Sequence, residues 1–144
     1  MSAVAFSMTG EPRGKGRPRA SARGGIARMY TDPKTRRYEA SVKAIAEKAM
    51  AGREPIVGPL AVALRFRIAI PASYSKKRRA AILAGTEPYL GAYDVDNLAK
   101  SILDGCNEVV FHDDKQVVRL LVVKVPAESA GVDVRVELYW GAAA

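Results

Sequence analysis

Leu60, Val62, Leu64, Phe66, Ile68 and Ile70 take every second position along one stretch, with Ala61, Ala63, Arg65, Arg67 and Ala69 between them. Successive side chains of a strand point to opposite faces, so this pattern predicts a strand with one buried face. Val4, Phe6 and Met8 alternate in the same way near the start of the chain. Val117 to Val125 is rich in β-branched residues, and Val132, Val134, Val136, Leu138 and Trp140 alternate with Asp133, Arg135, Glu137 and Tyr139. Both stretches predict strands. The period changes elsewhere: Tyr38, Val42, Ile45, Ala46 and Ala49 recur at helical spacing behind Asp32-Pro33, an acidic cap followed by proline at the first helical position. That helix is expected to end near Ala51-Gly52. Leu98, Ile102, Leu103 and Cys106 form a second apolar stripe, which predicts a helix from about Asp96 to Asn107. A short third helix opens at Lys76-Lys77-Arg78-Arg79 and continues through Ala80, Ala81, Ile82 and Leu83. The expected fold is α+β, a mixed sheet covered by two or three helices.

Composition bounds this picture. The chain has 144 residues, of which 49% are hydrophobic. That is long enough for a core and too short for two comfortable domains, so one domain over 1–144 is expected. No apolar run approaches the roughly 20 residues that span a bilayer, and the first residues lack the charged-then-apolar order of a secretory signal. A cytoplasmic protein without membrane contact is therefore expected. The single Cys106 has no partner for an internal disulfide, and with His112 it falls short of a zinc-ligand set. It reads as a buried, inert thiol.

Charge changes the picture more. The formal net charge is +8, and residues 11–37 contribute nine bases against two acids. Within them Gly14-Lys15-Gly16-Arg17-Pro18-Arg19 has no apolar periodicity, and its glycines and proline resist helix and central strand. A basic loop over about 11–25 is expected, with Arg13, Lys15, Arg17, Arg19 and Arg23 available to phosphates. Lys76, Lys77, Arg78 and Arg79 make a second basic cluster. A solvated charge run is the plain alternative for each; their company with an acidic centre favours contact with a polyanion.

That centre lies at residues 93–114, where Asp94, Asp96, Asp104, Glu108, Asp113 and Asp114 face one base, Lys100. Clustered carboxylates repel one another, and hard divalent cations such as Mg²⁺ offset that repulsion through oxygen ligands. An EF-hand is excluded: counted from Asp94, its required oxygen ligand, glycine and glutamate fall on Leu98, Ala99 and Gly105. Capping is the plain reading of Asp96 at a helix start. Lys100, four residues after Asp96, is either an ordinary helix ion pair or a cation held beside a metal site. Asp113 is a second ligand or a loop acid, Asp104 a support for Lys100 or a solvated acid, and His112 an ordinary turn residue. A helix of about twelve residues is roughly 18 Å long. The chain must therefore double back through Glu108 to Phe111 to bring Asp113 and Asp114 near Asp94.

Asp94-x-Asp96-Asn97-x-x-Lys100, then Asp104, then Asp113-Asp114-x-Gln116-Val117 resembles the signature of the RusA-type Holliday-junction resolvases, small endonucleases common in phages and prophages. The resemblance extends to Lys15-x-Arg17-Pro18-Arg19, to Tyr30-Thr31-Asp32-Pro33 and to the apolar strand before the acidic centre. It implies that Asp94, Asp96 and Asp114 hold Mg²⁺ or Mn²⁺ and that Lys100 is the essential nearby cation. It also implies a homodimer with no organic cofactor, which nicks opposing strands of a four-way DNA junction. A non-catalytic phage DNA-binding protein and a less selective branched-DNA nuclease are the alternatives.

Overall fold

A strand spanning Leu60–Ala69 runs through the middle of the molecule, built on the predicted period of two: Leu60, Val62, Leu64, Phe66 and Ile68 are all buried. The computed structural model describes residues 3–15, 19–21, 28–30 and 32–141, with the backbone alone at 19–21 and 28–30. In chain order the elements are β1 (Ala3–Thr9), β2 (Arg19–Ser21), β3 (Arg28–Tyr30), α1 (Pro33–Met50), β4 (Leu60–Ala69), α2 (Lys76–Leu83), α3 (Val95–Cys106), a 3₁₀ turn (Asp114–Gln116), β5 (Val117–Ala127) and β6 (Gly131–Leu138). The main sheet has the order β1-β6-β4-β5. β1 and β4 both pair antiparallel with β6, and β4 pairs parallel with β5. This is the expected mixed sheet of an α+β domain with three helices. β2 and β3 form a separate two-stranded ribbon.

The α1 and α3 helices pack on each other and bury Val42, Ala46, Leu98, Ile102 and Cys106 against the sheet residues Leu64, Phe66, Val134 and Val136. Each large aliphatic side chain so buried contributes about 1.5–3 kcal/mol. Gly105 is the point of closest approach: a Cβ there would lie 2.6 Å from Val42 Cγ1. The α1 helix starts with Asp32 and Pro33 as expected. Asp32 caps by position only; its carboxylate accepts no helix N–H and instead pairs with Arg13 at 2.7 Å.

Cover is one-sided. On the other face Ala5, Arg135, Ala63 and Leu121 line up across the four strands, and Ser7, Asp133, Arg65 and Val123 form the next row. These residues line an open depression. Ser7 Oγ donates to Asp133 at 2.8 Å, and Arg67 pairs with the same carboxylate. These contacts hold the Asp133 carboxyl below the usual range, Arg67 being the main cause and Ser7 the next. β5 lies at the sheet edge, with Val118, Leu120, Leu121 and Val123 exposed. β6 stops at Leu138, two residues short of the predicted limit, and Trp140 lies exposed beyond it.

Candidate active site around α3

The α3 helix begins one residue earlier than the sequence suggested. Asp94 occupies its N-cap and Asp96 lies in the first turn, where the positive end of the helix favours an acid. Nor does the Asp94 carboxylate cap the backbone; it accepts a hydrogen bond from Asn97 Nδ2 at 3.2 Å. Both acids are exposed. They open on different depressions: Asp94 borders one with Glu11, Arg13, Tyr93 and Asn97, and Asp96 borders another with Lys100, Leu120 and Val122.

Two supports fix the approach to Asp94. Lys124 of β5 donates to the Tyr93 carbonyl at 2.6 Å, and the Tyr93 hydroxyl donates to Glu11. Partial burial, then the Glu11 contact, push the Tyr93 hydroxyl up to about 12. The first part of the basic loop lies against the helix on this side. Lys15 N–H donates to the Asn97 carbonyl at 2.9 Å, and a Cβ on Gly14 would come within 3.2 Å of Asn97 Cβ.

The return from the far end of α3 is as tight as the spacing required. Glu108 adopts a left-handed backbone, φ 67°, and its N–H donates to the Phe111 carbonyl at 2.7 Å. Such a conformation is uncommon for a residue with a side chain. Asp113 then caps the 3₁₀ turn: its carboxylate accepts the Lys115 N–H at 2.8 Å, the main reason its pKa falls. The structure thus gives Asp113 a turn-capping role. Gln116 secures the same turn with all its amide atoms. Its Oε1 accepts the N–H groups of His112 (2.9 Å) and Asp113 (3.1 Å), and its Nε2 donates to the carbonyls of Ile56 (2.9 Å) and Gly58 (3.1 Å). The sequence marked Gln116 within a motif; its structural job became visible only once those four partners converged. His112 is exposed, and its ring lies 3.4 Å from Glu108.

Asp114 is consequently turned back on to α3, where its carboxylate accepts the Lys100 amine at 2.7 Å. Lys100 also pairs with Asp104 at 3.0 Å. The Asp114 contact first, then the Asp104 contacts, raise the Lys100 pKa against the opposing effect of partial burial. Lys15 meets the other oxygen of Asp104 at 2.5 Å and Glu39 of α1 at 3.1 Å. Burial alone would lower the Lys15 pKa, and the two carboxylates more than offset it.

Carboxylate oxygens are the donors a hard divalent cation takes, so Asp94, Asp96 and Asp114 suit Mg²⁺ chemically. They are not gathered: among the described residues no three His, Cys, Asp or Glu side chains stand close enough to hold one ion. Lys100 is instead the counter-charge that Asp114 meets.

The expected DNA-contacting bases divide. Lys76 and Lys77 are exposed at the start of α2. Arg78 bonds Glu87 at 2.7 Å and lies over the Tyr74 ring, and Arg79 donates to the carbonyls of Ile70 and Pro71. Arg13 and Lys15 are engaged by acids as described. Arg17 and Arg23, like the side chain of Arg19, fall outside the described residues.

An acidic helix start, a lysine one turn on and a returning acidic turn, all carried by a mixed sheet, define a class: small α+β proteins with a carboxylate–lysine centre. The family model for the endodeoxyribonuclease RusA matches residues 9–137, and this chain belongs to that family. A relative from Bacillus subtilis (strain 168), described as the uncharacterized protein YqaN, is 32% identical over 138 residues, covering 94% of this chain and 96% of the relative.

Proposed function

We propose that this protein is a Mg²⁺-dependent, structure-specific endodeoxyribonuclease that resolves four-way DNA junctions by paired phosphodiester hydrolysis. The observation that carries the reading is the contact of Lys100 with Asp114, joining two separated parts of the family signature beside Asp96. Asp94, Asp96 and Asp114 would hold Mg²⁺, or Mn²⁺ in its place, once drawn closer together than they stand here, and the ion would supply an activated water and a polarised phosphoryl oxygen. Lys100 offsets the negative charge that grows on the phosphate. Lys76, Lys77 and the basic loop beyond Lys15 hold the DNA backbone, a role that positions without reading bases. The protein acts as a homodimer in the cytoplasm of a bacterium or phage-infected cell. The exposed apolar edge at β5 supports pairing with a second copy, and no described helix is long and apolar enough to cross a membrane.

Purified protein with Mg²⁺ is expected to cut a synthetic four-way junction faster than linear duplex. Asp96→Asn is expected to lower the cutting rate by about a hundredfold or more, the scale of losing one electrostatic stabiliser, while junction binding holds or tightens. Loss of binding along with cutting counts against this reading. The competing reading is a non-catalytic DNA-binding protein, favoured by the three carboxylates standing apart; it expects salt-sensitive binding and no nicked product with any divalent ion.

A further inference from the structure

Five side chains form one chain of alternating charge: Glu39, Lys15, Asp104, Lys100 and Asp114, joined at 3.1, 2.5, 3.0 and 2.7 Å. It has an inner and an outer end. The side chains of Lys15, Glu39 and Asp104 are 20%, 18% and 15% exposed, whereas Lys100 is 51% exposed. The inner part is also fixed through the backbone, since the Lys15 N–H is bonded to the Asn97 carbonyl and Gly14 lies against Asn97. Lys15 is therefore poorly placed to serve as a loose phosphate contact.

Its charge has a consequence for Lys100. Asp104 is shared, one oxygen taken by Lys15 and the other by Lys100, and Lys100 is shared in turn between Asp104 and Asp114. Were Lys15 neutral, the full attraction of a sheltered carboxylate would fall on Lys100 and draw its amine inward, because opposite charges away from bulk water attract more strongly. We propose that Lys15 is a positioning residue for cleavage: by neutralising the inner oxygen of Asp104, it leaves the Lys100 amine turned outward to Asp114 and the DNA phosphate. The inference rests on the nuclease reading above.

The test uses the full chain, a synthetic four-way junction, binding measured without divalent ions and single-turnover cutting measured with Mg²⁺ at saturating protein. Lys15→Met is expected to leave the junction Kd within about twofold and to lower the cutting rate between about tenfold and a hundredfold, the scale on which small misplacements act. On an Asp104→Asn background the same change is expected to cost less than about threefold, because residues acting through one partner are not additive. If Lys15→Met does not fold, with Glu39 left unpaired, the double variant Lys15→Met with Glu39→Leu removes that buried charge and is expected to show the same loss of rate. A raised Kd with an unchanged saturating rate makes Lys15 a backbone contact and overturns the inference alone. Full additivity with Asp104→Asn overturns it too. A wild-type protein that cuts no junction overturns both the inference and the nuclease reading.

Discussion

Asp113 and Asp114 are adjacent in the chain, yet one caps a 3₁₀ turn and the other meets Lys100. Adjacent residues point in different directions once the backbone turns, and the direction of that turn depends on Gln116 and its four partners. Gln116→Leu leaves the N–H groups of His112 and Asp113 and the carbonyls of Ile56 and Gly58 without these bonds. It is expected to lower stability by about 1–3 kcal/mol, the cost of stranding such groups, and to lower cutting through the displaced Asp114. A denaturant titration beside a single-turnover assay checks both; unchanged stability removes Gln116 from this role. Lys15 carries the same lesson, since a basic loop residue read as a phosphate contact is held between Asp104 and Glu39.

The elements were more legible than their ends. Periods of two and of 3.6 located β4, β6, α1 and α3, because a sheet or helix with one buried face leaves that face written in its apolar positions. Ends shift by a residue or two from where the apolar pattern stops: α3 starts at Val95 and β6 stops at Leu138. The crossing of α1 and α3 depends on Gly105. Gly105→Ala places a methyl 2.6 Å from Val42 and 3.1 Å from the Glu39 carbonyl. The helices must separate to admit it, and a loss of about 1–3 kcal/mol is expected, as for overpacking in general. Because Glu39 and Asp104 lie on these two helices, the cutting rate is expected to fall as well. An unchanged melting temperature shows that the contact yields freely.

At the scale of the molecule, the described residues cover the sheet on one face, and the strand at its edge exposes Leu120, Leu121 and Val123. The sequence foresaw cover by helices but not which face would stay open, since the outward positions of β4 and β6 mix alanine with paired charges. If the edge and open face receive a second copy, Leu121→Glu with Val123→Glu is expected to turn a dimer into a monomer in sedimentation equilibrium. Like charges would then meet across the two-fold axis that relates identical surfaces. A variant that sediments as the wild type does places the interface elsewhere. A monomer that binds a junction while losing paired nicking would tie the second copy to function.

The sequence by itself determined the buried faces, the α+β class, the acidic centre and the family to which the chain belongs, because apolar periodicity and motif spacing are properties of the chain. Only the tertiary structure decided that Asp114 folds back on to Lys100, that Asp113 caps a turn, that Lys15 is drawn inward and that, among the described residues, one sheet face stays open. Each of these depends on residues far apart in sequence arriving at one place. The strength of a charge contact is set by distance and shelter from water, neither of which the order of residues records.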